Sequence, residues 1–332
     1  MIAWGRQAAV VTLSVVLAAG LITSFLIGPA DIAPGRLLAG LFGAADPTAN
    51  IIAQEIRLPR TILAAAIGAA LGLSGAVLQG FLRNPLAEPA ILGVSASAAL
   101  GAVIALYYGL MAVFPLALPV FAVTGAFIAA FAVHALAGRE ASMLTLILAG
   151  VAINSLAGSL VALALNLAPN PHAALEIAFW LLGSLTDRSM VHLWLSLPFI
   201  VVGIGVLLMT GRGLDALSLG ERSARSMGIN LGRLQGLVII GTAAAVGASV
   251  AVAGVIGFVG LVVPHLLRPF TGHEPSRLLP VSALGGAVAL TVADICVRLV
   301  PTPGELKLGV LTGIVGAPFF LALLMKTRTE LR

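Results

Sequence analysis

Ionisable side chains are few in this sequence, so each one that could do chemistry can be weighed on its own. The stretch EIRLPR places Arg57 and Arg60 three apart at the lip of a long apolar run, and ADICVR ends on Arg298. Cations at such positions either snorkel from helix ends to lipid headgroups or form an electrostatic dock for an acidic partner outside the membrane. Asp294, Glu88, His134 and His265 are the candidates for moving protons. All four lie near the ends of apolar segments, and the mid-segment carboxylates and histidine chains that a proton relay needs are missing.

Other chemistry lacks its residues. A phosphate-cradling loop requires GxxxxGK[ST], but the two lysines, Lys307 in ELKLG and Lys326 in LLMKT, do not follow glycine. There are no paired mid-segment carboxylates, no Ser–His pair and no HExxH zinc site. The small-residue runs GLSG at 72–75 and AGVIG at 253–257 read as places where membrane helices approach closely, not as nucleophile or phosphate loops. Cys296 is the single cysteine and forms no internal disulfide. Of the 332 residues 60% are hydrophobic and 9% charged, where a soluble domain carries about 25% charged. Basic residues are scattered between apolar runs, which argues against nucleic acid as a partner.

The elements that position these residues are continuous apolar runs rich in Gly and Ala, so the expected fold is all-α and polytopic, not a β-barrel. Hydropathy predicts ten spans, at 8–28, 58–81, 90–110, 117–137, 143–166, 190–210, 233–254, 255–270, 278–299 and 305–325. The first is read as a retained helix rather than a signal peptide. The eighth is short and contains Pro264. The segment NPHAALEIAFWLLGSLTDRS predicts a short interfacial helix with Trp180 at the membrane boundary.

With the N-terminus inside, inner loops hold 12 of the 18 basic residues and the outer side holds 6, which favours cytoplasmic termini. Arg57, Arg60 and Arg298 then fall outside, against that trend. The largest inner loop, GRGLDALSLGERSARSMGINLGR, predicts one or two short helices. Gly228 ends the second, and Asn230 starts the next span. This loop is either an amphipathic connector on the membrane surface or a lever that slots into a cytoplasmic partner. A faint echo between 67–79 and 246–258 is of the inverted kind found in transporters.

Several segments together resemble the FecCD-type permease subunits of ABC importers for iron-siderophores, haem and cobalamin. They are RLPR at 57–60, SGAVLQGFLRNPLAEPAILGVS at 74–95, LILAGVAIN at 146–154, LSLGERSARSMGI at 217–229, AGVIGFVGLVVPHLLR at 253–268, ADICVR at 293–298 and GELKLGVLTGIVGAPFFL at 304–321.

The resemblance implies a single permease domain over 1–332 with a cytoplasmic coupling loop at about 213–230, in the bacterial inner membrane. It implies a second permease copy, two cytoplasmic ATPase subunits that use ATP and Mg, and a periplasmic substrate-binding protein. The chain itself would carry no cofactor and no catalytic site. Arg57, Arg60 and Arg298 would receive acidic side chains of the binding protein. Leu217, Leu219, Gly220, Glu221, Ala224, Arg225 and Gly228 would couple to the ATPase. Asn84 and Leu86, with Met143 and Leu144, would form the cytoplasmic gate, and the path would run between two permease copies. The cargo would be a metal chelate, iron-siderophore or haem, with cobalamin as the alternative; an ion-coupled carrier acting alone is the alternative of another class. Lys307 departs from the family, which often has Pro there, and Met143 and Leu144 are bulkier than the small hydroxyl residues of some relatives.

Overall fold

Each of the ten apolar segments contains a helix, and no strand occurs among the described residues, which in this computed structural model are 2–138, 143–300 and 304–330. In chain order the helices are α1 (Ile2–Leu26), α2 (Pro34–Leu41), α3 (Pro47–Ile51), α4 (Leu58–Phe81), α5 (Val94–Tyr107), α6 (Ala117–Ala137), α7 (Met143–Asn166), α8 (Pro171–Leu181) and α9 (Met190–Leu208). They continue with α10 (Gly211–Ser218), α11 (Glu221–Ser226), α12 (Leu231–Ala253), α13 (Val259–Leu267), α14 (Pro275–Leu299) and α15 (Leu308–Glu330). A π-helical stretch, Ile52–Arg57, joins α3 to α4. Arg139 and Arg332, counted above for orientation, lie outside the described residues.

Among the described residues, eight helical segments are long and apolar enough to cross a membrane: α1, the rod Pro47–Phe81, α6, α7, α9, α12, α14 and α15. The expected spans at 90–110 and 255–270 are shorter as helices. α5 has 14 residues and α13 has 9. The cause in the second case is backbone geometry. Gly254, at φ +69°, ends α12, and the chain runs unwound to Phe258 before α13 begins. Unwound backbone at this depth is tolerated where protein surrounds it. Here the Gly254 Cα lies against the Trp180 carbonyl and Gly183, and Ser184 N–H donates to the Ala253 carbonyl at 2.7 Å.

Two helices form the centre. The most apolar windows of the Pro47–Phe81 rod and α12 are 78% and 83% buried, whereas α1 and α15 are 11% and 17% buried and leave broad apolar faces uncovered. Close approach depends on absent side chains. Gly68 and Gly72 of α4 face Gly286 and Ser282 of α14, and Gly75 faces the backbone of Gly260 on α13; none of the three has room for a Cβ. The GLSG run is therefore a packing surface between helices, whereas AGVIG is mostly the unwound break itself, with Gly254 against the Trp180 carbonyl and Gly257 in open space. α4 and α12 run in opposite directions: Gly80, near the end of α4, and Leu234, near the start of α12, both pack on α10. The two echoing segments thus run in opposite directions, as an inverted repeat requires.

The loops fit the sequence expectations. α8 is the predicted short helix, capped by the Asn170 side chain accepting from Ala173 N–H at 2.9 Å, with Trp180 near its end. Gly228 ends α11 at φ +79°, and Asn230 caps α12 by accepting from Arg233 N–H at 2.9 Å.

Candidate functional site

The chemistry-bearing residues gather at the two ends of the bundle. At one end the C-terminus of α1 meets the starts of α4 and α15 and the end of α14. A helix leaves its last four carbonyls without partners. Here two arginines cap them. Arg57 Nη1 donates to the carbonyls of Phe25 (3.2 Å) and Leu26 (2.5 Å), and its Nη2 donates to Ala30 (2.6 Å). Arg298 Nη1 donates to the carbonyls of Ser24 (2.7 Å) and Ile27 (2.9 Å), and its Nη2 to the Ser24 hydroxyl (2.6 Å). Positive charge at a helix C-terminus also complements the helix dipole.

Arg60 binds two carboxylates. Its Nε and Nη2 donate to Asp294 at 3.0 and 2.8 Å, and its Nη1 donates to Glu305 Oε2 at 3.1 Å. Arg60 Nη2 also pairs with Glu305, and Arg298 Nη2 with Asp294. Asp294 is fully buried and compensated from both sides, which is the condition for a charge to reside in the interior. Asp294, weighed above as a proton carrier, is a fixed counter-ion in this structure. Glu305, the first residue of the expected tenth span, lies ahead of it, since the spanning helix α15 begins at Leu308. Burial works to raise its carboxyl pKa, but the Arg60 hydrogen bond and charge outweigh burial and hold it below the usual glutamate range.

The expectation of three free docking cations is therefore corrected in its geometry. Arg57 is 4% exposed, Arg60 is buried, and all three guanidiniums are occupied inside the chain. The alternative of snorkelling to headgroups fares no better for Arg57 and Arg60, because neither reaches the surface. Lys307, beside Glu305, sits 5.9 Å from the Phe179 ring centroid in a cation–π contact with α8.

The opposite end carries α10 and α11 as a hairpin. Its inner side is anchored: Leu217 and Ala224 are fully buried, Asp215 Oδ1 accepts from Ser276 N–H at 2.8 Å, and Leu214 packs under Gly80. Its outer side is presented. Leu219 is 66% exposed, and Arg222, Arg225 and Met227 are exposed. Gly220, at φ +103°, makes the turn between the two helices. Of the seven coupling positions, Leu219, Arg225 and Gly228 lie on the exposed side, Leu217 and Ala224 hold the hairpin in place, and Glu221 and Gly220 are half-buried.

The expected gate positions are not together within the chain. Asn84 accepts from Leu86 N–H at 2.9 Å, a local turn just after α4. Asn84 lines a cavity with Arg83, Ser218 and Arg268. Met143 lines a different and larger cavity, of about 560 Å³, with Phe81, Leu217 and Glu221. Leu144 points outward, 66% exposed. The end of α4 and α10 separate the two cavities.

Two partners were missed in the sequence. Asp294 precedes Arg298 by one helical turn, and that i,i+4 spacing is a legible ion-pair signal. Glu305 has no comparable local signal, because its partner is 245 residues away.

A helical bundle with an exposed hairpin at one end and an ionic cluster at the other defines a multi-pass helical membrane protein. The chain belongs to the FecCD transport family, whose profile matches residues 16–326. It is similar to the uncharacterized ABC transporter permease protein YvrB of Bacillus subtilis, 40% identical over 86% of this chain and 82% of that protein. It is also similar to the cobalamin import system permease protein BtuC of Halobacterium salinarum, 42% identical over 85% of this chain and 75% of the relative. The vitamin B12 import system permease protein BtuC of Citrobacter koseri is 36% identical over 96% and 94%. A solved structure described as an inward-facing metal-chelate type ABC transporter superposes with a TM-score of 0.84 at 31% identity, over 95% of this chain and 98% of that one. The chain is a transmembrane permease of the ABC importer class.

Proposed function

We propose that two copies of this chain form the path of a bacterial inner-membrane importer for a metal chelate. Each copy is a single permease domain, and each engages one cytoplasmic ATPase subunit through α10 and α11. ATP and Mg are used in that partner, and the permease chain contains no ATPase site. The observation that carries this reading is the hairpin itself: it is anchored by buried Leu217 and Ala224 and presents Leu219, Arg222 and Met227 to the surroundings. An apolar and cationic tip held rigidly from below suits a groove on a soluble partner.

The ionic-cluster end then faces the periplasm and receives the binding protein. Arg57, Arg60 and Arg298 contribute by holding the rim formed by α1, α4, α14 and α15 in one shape. The gate is completed across two copies, since Asn84 and Met143 lie in separate cavities of one chain. The weakly buried faces of α15 and α1 support burial against another surface, lipid or a second copy. Alternating access follows from movement of the hairpin when the ATPase pair closes.

For the cargo, two of the relatives named above are cobalamin permeases, and cobalamin is itself a metal chelate. Iron-siderophore and haem are the other members of that class. Uptake in a deletion strain, comparing radio-iron on a siderophore, haem and labelled cobalamin with the chain restored from a plasmid, tests this. Loss of one cargo, rescued by the chain, supports the importer reading and identifies the chelate. Normal uptake of all three overturns the chelate assignment.

A further inference from the structure

A second basic site lies beside the hairpin. A cavity of about 270 Å³ opens between the turn after α4, the end of α10 and the segment joining α13 to α14. Its lining includes Arg83, Asn84, Ser218, Arg268 and His273, and no carboxylate. The acids close in sequence to its lining residues are occupied: Asp215 accepts from Ser276 N–H, and Glu274 pairs with Arg277 at 2.5 Å.

Arg268 is built into position. Its Nη2 donates to Gln79 Oε1 at 2.5 Å, and Gln79, only 2% exposed, is itself anchored through Nε2 on the carbonyls of Gly260 and Leu261 at 3.3 and 3.2 Å. A buried amide chain therefore aims a half-buried guanidinium. Burial lowers the Arg268 pKa, and no acidic group among the described residues offsets that cost. Charges taken from water are normally paired. Arg83 and His273 add two further observations. Both are non-glycine residues in the left-handed region, at φ +47° and +62°, and neither side chain forms a hydrogen bond or ion pair among the described residues. Such conformations are strained for L-residues and cluster at functional positions.

We propose that this basin receives a carboxylate side chain of the ATP-binding partner, set beside the docked hairpin and in contact with the turn that carries Asn84. The proposal rests on the partner assignment made above and adds a specific receptor to it. Lipid phosphate is the less suited occupant. The deep walls, Ala76 and Gln79 of α4 and Leu278 of α14, are buried, which leaves acyl chains no entry through them. The opening lies instead toward exposed Arg83, Ser218 and His273. A carboxylate bound there would tie partner movement to the Asn84 turn directly, in parallel with the hairpin.

The test uses the full chain in nanodiscs and its purified ATPase subunit, measuring Kd from low to physiological salt. Arg83→Gln, whose side chain has no hydrogen bond or ion pair among the described residues, and Arg268→Gln are expected to weaken binding about tenfold each at low salt and to flatten the salt dependence, while Arg268→Lys retains most of the affinity. Wild-type binding with unchanged affinity and salt dependence in both Gln variants overturns the proposal while leaving the partner assignment intact. A loss seen only in nanodiscs containing anionic lipid overturns it in favour of a headgroup. No ATPase binding by the wild type overturns the partner assignment and this proposal with it.

Discussion

Arg60 Nε and Nη2 both donate to Oδ1 of Asp294, at 3.0 and 2.8 Å, joining the start of α4 to the end of α14 across 234 residues of sequence. The same arginine reaches Glu305 ahead of α15, and the same aspartate reaches Arg298. Four helix termini thus share one ionic cluster, with Ser24 and the last carbonyls of α1 as its floor.

Removing the shared anion should be the most damaging change there. Asp294→Ala leaves Arg60 and Arg298 buried with too little counter-charge, and should cost about 3–5 kcal/mol. Thermal unfolding in detergent measures it. The paired change Arg60→Met with Asp294→Leu should be less destabilising than Asp294→Ala alone. The reverse order would mean that Asp294 is not the counter-ion of Arg60.

Arg57 should behave as a helix cap. Arg57→Glu loses three carbonyl acceptors and places an anion against a helix C-terminus. It should lower thermal stability, and added salt should restore little of that loss because the site is buried. A stable Arg57→Glu variant whose only defect is slower, salt-sensitive association with the binding protein would instead identify Arg57 as a free docking cation.

Glu305 predicts an acid-sensitive strap. Burial pushes its carboxyl pKa up, but the Arg60 hydrogen bond and charge, with Thr186 and Arg298, together hold it below the ordinary value of 4.5 in the folded chain. Its contribution is therefore fully present above the unfolded value and is lost as pH falls through the folded one. Protection of residues 304–307 from hydrogen exchange, at matched intrinsic exchange rates, should be flat near neutrality and fall below about pH 4.5. In Glu305→Gln that acid-dependent part should vanish.

The small-residue seams separate two glycines five residues apart. Gly75→Val drives a side chain into the Gly260 backbone and should cost about 3 kcal/mol or more, read as loss of folded protein in the membrane fraction. Gly80→Ala meets its nearest neighbour, Leu214, at an ordinary 3.5 Å and should fold. Equal tolerance at both sites would refute the α4–α13 packing.

The hairpin separates anchoring from contact. Leu219→Asp should leave stability unchanged and reduce ATPase association, because Leu219 projects outward. Leu217→Asp buries a charge and should reduce stability by several kcal/mol before association is tested. Both effects can be separated by comparing melting temperature with pull-down of the ATPase subunit.

Local composition and short spacing were enough to specify most of the elements, though not the short α5 and α13. Apolar runs specify the helices because an unsatisfied backbone cannot enter lipid. Gly228 and Asn230 mark the end of α11 and the start of α12 because caps are local chemistry. Clusters of Gly and Ala mark where helices pass closely, and the combined motifs are legible as those of one family.

How the charges are used depends instead on contacts between distant segments. Arg57 and Arg60 look like free cations in the sequence because their acceptors are carbonyls that every residue carries and carboxylates more than 230 positions away. The shortened α13 depends on Gly254 and Trp180 meeting in space, and the separation of Asn84 from Met143 depends on where α10 lies. Long-range pairing inside a membrane protein follows from which helices pack, and helix packing is set by small surface differences that one-dimensional hydropathy averages away.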